Sequence, residues 1–316
     1  MLFSRALVTG GAGFLGSHLC DALVALGENV TVLDNLSSGK RQNIRDALKS
    51  KKIKFILGDC KNSRDVRKAV SEADVVYHFA ANPEVRLSLA DPATSFRENI
   101  YATHVLLEAI RKSDVNRIVF ASTSTVYGDA KVVPTPEDYA PMEPISVYGA
   151  SKLASEALIT AYCQTYYKTA IVLRLANIVG PRSEHGVISD FVKKLKANSR
   201  RLEILGDGHQ KKSYLHVEDC ISATLTASEI TTQGEVLNVG STDQLEVAGI
   251  AEIVTHEMGL DNVCFEFTGG VDGGRGWVGD VKNMLLDTTR LKSKGWKPRH
   301  NSVDSVRLAV RELLSK

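Results

Sequence analysis

Tyr148 and Lys152 are the residues whose types and spacing could do the most chemistry. They lie four apart in SVYGASKLASEALITAY, so on a helix both face the same way. An ammonium near a phenol favours the phenolate, which lowers a tyrosine pKa from about 10. A phenolate can then act as general base toward an alcohol. Taken alone, a tyrosine and a lysine at this spacing are also an ordinary surface pair. A second feature is ASTSTVYG at 121–128. Its Thr123, Ser124 and Thr125 can hydrogen-bond a hydroxylated substrate. Their pKa values are far too high for them to shuttle protons in an elimination.

Something must position these groups. RALVTG (5–10), NVTVLD (29–34), IKFILGD (53–59), DVVYHFAA (74–81), NRIVFAS (116–122) and TAIVLRLAN (169–177) are short, β-branched and nearly continuously apolar. Strands of that character are buried on both faces of a parallel sheet. Helical stretches alternate with them, which predicts an α/β, Rossmann-type doubly wound fold. Ser146 after Pro144 is a plausible cap for the helix of Tyr148. The rhythm changes near residue 177. A loop, a helix over 187–197, short strands at 202–205, 235–240 and 264–269, and the glycine-rich GGVDGGRGWVGD (269–280) follow. The expected division is residues 1–176 as a dinucleotide domain, with some later segments returning to it. Residues 177–316 would form a smaller α/β substrate lobe closing over it.

The first strand runs into TGGAGFLG, with Gly10, Gly13 and Gly16 in GxxGxxG spacing and Phe14 and Leu15 opening the helix. The glycines allow a tight turn, close approach of a pyrophosphate and close helix–strand packing. The pyrophosphate would lie at the positive helix end. Asp34 ends the second strand. A carboxylate there accepts from the adenosine ribose hydroxyls and repels an extra phosphate, so NAD is expected rather than NADP. Asn35, Ser37, Ser38 and Gly39 continue the same turn, and capping it is the competing role for Asp34. Ligands lie across the carboxyl ends of such strands. Asp59 and Cys60 should therefore flank the adenine, and Phe79, Ala80 and Ala81 should line the cofactor. Asn99 is either a cofactor contact or a satisfied core amide. An oxidised nicotinamide beside Tyr148 would add to the charge that favours its phenolate.

The bulk numbers exclude several classes. The chain has 316 residues, 39 basic and 37 acidic, for a net charge of +2. That gives no reason to expect nucleic acid or a membrane surface as partner. Five widely spaced cysteines predict buried free thiols in a reducing compartment. The histidines show no ligand spacing, so no metal is expected. No apolar run approaches the roughly 18 residues of a membrane span. The opening MLFSRALVTGG has too short an apolar core for a signal peptide, and a cytoplasmic location is expected.

Together the glycine loop, Asp34, ASTSTVYG and the Tyr148–Lys152 pair resemble the extended short-chain dehydrogenase/reductases, over essentially the whole chain. Within that group the sequence is similar to the UDP-glucose 4-epimerase family and its relatives acting on UDP-N-acetyl sugars. The resemblance implies that Tyr148 is the base. It also implies that Lys152 binds the nicotinamide ribose and that Thr123 bonds the sugar hydroxyl. GDGHQKKSYLHVED (206–219) matches the segment along the nucleotide-sugar diphosphate and contains Lys212 and Tyr214; many relatives carry arginine at the Lys212 position. GRGWVGDVK (274–282) matches the loop whose Arg275 would clamp the diphosphate and whose Asp280 would hold the nucleotide ribose. Asn177 matches a diphosphate contact, and Val187 and Ile188 the stretch beside the uracil. The family also implies a homodimer through a four-helix bundle built on helices near 93–112 and 149–167.

Dehydratases of this group carry Thr-Asp-Glu where this chain has Thr123, Ser124 and Thr125. Decarboxylases usually carry a glutamate at the Thr125 position. Neutral hydroxyls at both places predict a 4-epimerisation of a UDP-hexose, with dehydratase or decarboxylase chemistry as the alternative. A UDP-glucuronate epimerase is a further alternative, but such enzymes tend to place arginine where Glu184 stands. Met284 counts from Asp280 to a position where bulk excludes N-acetyl sugars in some relatives, and methionine decides little. Arg86 could approach the substrate or simply face solvent. A non-catalytic NAD-binding regulator would typically lack Tyr148 or Lys152.

Overall fold

Six of the apolar runs form parallel strands because each is apolar toward both faces. They are β1 (Arg5–Thr9), β2 (Asn29–Asp34), β3 (Ile53–Leu57), β4 (Val75–His78), β5 (Arg117–Thr123) and β6 (Thr169–Leu175). In β5 and β6 every one of the seven residues is buried. This computed structural model describes residues 4–315. Met1, Leu2 and Phe3, the start of the stretch weighed against a signal peptide, lie outside the described residues.

The sheet has seven strands in the order Gly234–Val239, β6, β5, β4, β1, β2, β3. The order turns back on itself beside β1, which is the switch point of a doubly wound sheet. Parallel register brings the carboxyl ends of β1, β2, β4 and β5, with Thr9, Asp34, His78 and Thr123, to one edge of the sheet. The seventh strand, Gly234–Val239, comes from the later part of the chain. Ala170 donates its N–H to Gln233, and Ala176 donates to Val239, so this run completes the open edge of β6.

The chain forms two compact units. The first comprises the chain up to Thr123, Val147–Arg174 and Ile221–Leu237; the second comprises Ser124–Ser146, Leu175–Cys220 and the chain from Asn238 onward. Ser124–Ser146, expected in the first domain, thus falls in the second unit, while Ile221–Leu237 returns to the first. The first unit's core packs Leu7, Leu33, Val66, Leu106, Ile118, Phe120 and Ile159 around the sheet. The second unit has its own core of Phe191, Leu195, Leu202, Ile204, Ile250, Val254 and Val306.

Two helical segments of the first unit matter for the site. One runs Val147–Thr165. The other is helical from Pro92 to Arg111, through a widened turn of π type at Phe96–Tyr101. Such widened turns occur often at functional sites, and this one contains Asn99. Among the described residues, no helix is long and apolar enough to cross a membrane. All five cysteines are free, and Cys264 is exposed, unlike the buried thiol expected, because it opens a short strand that leaves it uncovered.

Candidate active site

The glycine loop is built so that nothing larger fits. Gly10 adopts φ +69°, and a Cβ there would meet the Ala80 backbone nitrogen at 2.8 Å. A Cβ on Gly16 would stand 2.2 Å from the Gly10 carbonyl oxygen. Gly13 caps the helix Phe14–Ala25 with extended backbone and no side chain. Its first N–H groups and positive dipole end remain available to an anion. Asp34 is buried and organises the loop: its carboxylate accepts from Ala12 N–H at 2.9 Å and from Leu36 N–H at 2.8 Å. A carboxylate has about four acceptor positions, so this capping role leaves capacity for a ribose diol. Gly39 presses on the same residues: a Cβ there would meet Ala12 at 2.9 Å and Asp34 Oδ1 at 3.0 Å. Asn35 donates to Asp59 at 3.0 Å and accepts from Ser37 N–H, joining the ends of β2 and β3. Ser37 and Ser38 are exposed in that turn. Cys60 is buried, and burial pushes its thiol up to about 12.

Phe79 and Ala80 are tied to Thr9 through their N–H groups, and Ala81 follows, partly buried. Asn99 is almost fully buried and satisfied. Its oxygen accepts from Asn82 N–H at 2.9 Å, and its amide donates to Ser151 Oγ at 2.8 Å. It thus pins the loop after β4 to the helix of Tyr148. His78 sits beneath, bonded to Thr9 Oγ1 (2.8 Å) and Thr103 Oγ1 (2.9 Å). Burial, reinforced by the charge of Lys152, pulls His78 down to about 3, so the ring is neutral at physiological pH.

The helix Val147–Thr165 brings Tyr148 and Lys152 to the end of β5. The Thr123 side chain hydrogen-bonds the Tyr148 phenol. Lys152 is buried, with Nζ 4.1 Å from the centroid of the Phe120 ring, a cation–π contact. Burial pulls Lys152 down to about 7, with Glu156 opposing. The expected depression of Tyr148 is not present in this geometry. Burial dominates and pushes the phenol up to about 12; the bond from Thr123 is what opposes it. Burial disfavours the charged phenolate. Ser124 is buried and Thr125 partly so, and both are neutral.

Three residues not anticipated from the sequence meet here, one on this helix and two on the neighbouring strands. Glu156, one turn beyond Lys152, forms a buried ion pair with Arg174 of β6 at 2.8 Å. Ser122 of β5 also donates to it. An arginine inside the apolar run VLRL was the available signal, because a buried arginine requires a counter-charge.

The second unit holds the other predicted residues. Arg275 donates bidentately to Asp129 (3.0 and 2.8 Å) and also to the Asp280 carbonyl. Lys212 Nζ lies 2.5 Å from Asp280 Oδ1, and Asp280 Oδ2 accepts from Gly276 N–H. These four charged residues form one chain of contacts. Asn177 donates to the Ser213 carbonyl at the start of a strand, Asn177–Val179, paired with Tyr214–His216. Tyr214 and Ile188 are buried in the second unit's core, and Val187 packs against it. Burial carries the Tyr214 phenol well above its usual range. Met284 is buried in a short strand beside Lys212. Glu184 and Arg86 are exposed on loops. Among the described residues, no group of three or more histidine, cysteine, aspartate or glutamate side chains could hold a metal.

These features fit a bound dinucleotide: a cradle that a Cβ would fill, a helix end facing it and an acid at the end of β2. The comparisons with known proteins agree. Residues 6–240 match the NAD dependent epimerase/dehydratase family. The chain is 34% identical over 311 residues to a putative UDP-glucose 4-epimerase of Methanocaldococcus jannaschii, covering 96% of each. It is similar to a crystal structure of a UDP-galactose 4-epimerase at 43% identity and TM-score 0.88, covering 98% of this chain and 99% of that one. The Bacillus cereus UDP-glucuronic acid 4-epimerase, solved with UDP-glucuronic acid and NAD, gives 30% identity and TM-score 0.89 over 98% and 99% of the two chains. The chain therefore belongs to the NAD-dependent epimerase/dehydratase family, and NAD is its cofactor.

Proposed function

We propose that this protein inverts the C4 centre of a UDP-hexose, interconverting UDP-glucose and UDP-galactose, with the N-acetyl forms as further candidate substrates. The observation that carries this reading is the trio Thr123, Tyr148 and Lys152 followed by two neutral hydroxyls, Ser124 and Thr125. The trio is suited to removing and returning the proton of one sugar hydroxyl. No carboxyl follows it to drive loss of water or carbon dioxide.

Bound NAD would supply hydride transfer at C4 and the positive charge of its oxidised ring, and Gly10, Gly13, Gly16 and Asp34 would hold it. Tyr148 takes the proton of the 4-hydroxyl at its phenol oxygen and returns it after the ketone has turned over. Thr123 bonds both that phenol and the hydroxyl, so the proton has a fixed path. Lys152, charged, favours the phenolate. Neither Ser124 nor Thr125 can protonate a leaving group, so the ketone's one outlet is reduction from the opposite face. The part of the second unit is its charged chain. Arg275 and Lys212 grip the diphosphate, which must compete with Asp129 and Asp280, and Asp280 also meets the nucleotide ribose. Glu184, an acid on its loop, argues against an acidic sugar.

The first unit also exposes Phe96, Tyr101, Tyr166 and Tyr167 on or beside its two long helical segments. An aromatic surface of that kind suits the homodimer implied by the resemblance.

The test is direct. Purified protein is incubated with UDP-glucose, UDP-galactose and their N-acetyl forms, and the products are read by chromatography and mass. An epimer of unchanged mass is expected from at least one pair. Products lighter by water or carbon dioxide would replace this reading with the lyase one.

A further inference from the structure

Glu156 lies four residues beyond Lys152, so the two share one face of the helix Val147–Thr165. Its side chain is buried, where a carboxyl requires partners. Both its oxygens are held. Arg174 Nε reaches each at 3.2 Å, and Arg174 Nη2 reaches Oε2 at 2.8 Å. Ser122 Oγ, the residue before Thr123, donates to Oε1. One carboxylate thus fastens the helix that carries Tyr148 and Lys152 to β5, which carries Thr123, and to β6. Burying such a pair is costly unless its geometry is good and its remaining positions are bonded, and here they are.

We propose that Glu156, pinned by Arg174 and Ser122, is a positioning residue: it sets Lys152 against the end of β5 and supplies the buried negative charge that partners its ammonium. The titratable and charged groups that face Lys152 are few. Tyr148 and Glu156 come from its own helix and His78 from β4. The Phe120 ring of β5 is uncharged, and Arg174 of β6 faces Glu156. His78 is neutral in the physiological range, so it neither helps nor replaces Glu156. Burial pulls the Lys152 ammonium down toward neutrality while Glu156 opposes it. The charged form of Lys152 thus depends on the Glu156 carboxylate being held in place. For its consequence in catalysis this inference rests on the function proposed above; for the titration of Lys152 it does not.

The test is the titration of Lys152 itself, read from its 13Cε resonance in protein labelled with 13C-lysine and assigned against Lys152→Met. In Glu156→Gln the titration is expected to move down by about one pH unit, a roughly tenfold change in proton affinity. The alkaline limb of kcat/KM for UDP-glucose and UDP-galactose is expected to move down with it, while the acid side changes little. The sign follows from the charge: removing a negative neighbour disfavours the ammonium, so the charged form is lost at lower pH. A purely structural role would instead lower activity by one factor at every pH. Because Glu156→Gln leaves Arg174 unpaired, Glu156→Gln with Arg174→Gln is measured beside it; this removes a positive charge together with the negative one, so a smaller downward shift is expected. An unmoved resonance in either folded variant overturns the inference, as does failure of the doubly neutral protein to fold, which would assign the pair to folding. A shifted resonance in a protein inactive on every UDP-sugar would leave this inference standing and remove the proposed function.

Discussion

Tyr148→Phe is expected to lower turnover about a thousandfold or more while leaving the protein folded and its NAD bound. The substitution removes one oxygen. General acid–base catalysis typically contributes 10²–10⁴-fold, and here the same oxygen serves both as base toward the 4-hydroxyl and as acid toward the returning alkoxide. The phenol's one bond that shapes its titration runs to Thr123, so its loss strands a hydroxyl that can turn to another acceptor. Folding should therefore be nearly unaffected. Steady-state kinetics, with melting temperature and NAD content as controls, checks this. Turnover within tenfold of the unaltered protein would mean that another group moves the proton. No other group stands out: His78 is sealed between Thr9 and Thr103.

The second large effect belongs to the glycine loop. Gly16→Ala places a Cβ 2.2 Å from the Gly10 carbonyl oxygen and 2.8 Å from Gly11 Cα. Both obstacles are backbone, so no side-chain rotation relieves them. The helix Phe14–Ala25 must move away from β1, which costs about 3 kcal/mol or more by analogy with overpacked cores. That shift also displaces the N–H groups that would meet the pyrophosphate. The protein is expected to melt lower and to purify with little NAD, measured by releasing the nucleotide on denaturation. Gly234→Ala is the control, since a Cβ there meets nothing within 4 Å. A Gly16→Ala protein with full NAD content and an unchanged melting temperature would contradict the account of the loop.

Much of this arrangement is legible in the chain because the signals are local. Continuous β-branched runs report strands buried on both faces. A glycine triplet between strand and helix reports a phosphate cradle, and an acid ending the second strand falls where a ribose would lie. Signals that depend on distant partners are not legible in this way. Arg275 is visible in the sequence as a cation in a glycine loop, but its carboxylate partner Asp129 lies 146 positions away. Glu156 is one more charge on a helix until Arg174 and Ser122 fold against it. The strand Gly234–Val239 carries no mark that it closes the edge of β6 rather than a second lobe. The titration of Tyr148 is not legible for a related reason. Spacing places an ammonium near the phenol, but the balance between charge and burial is set by packing that a single sequence does not display. The resemblance offers Tyr214 and Ile188 as substrate contacts; strand alternation and helix phase bury both in the second unit's core.

The central claim is that one hydride leaves C4 and returns to the same carbon. UDP-glucose and UDP-galactose carrying deuterium at C4 test it most directly, with the product's mass and stereochemistry read together. The expected product is the C4 epimer of unchanged mass with its deuterium retained at C4. Loss of the deuterium to solvent, or a product lacking water or carbon dioxide, would contradict it.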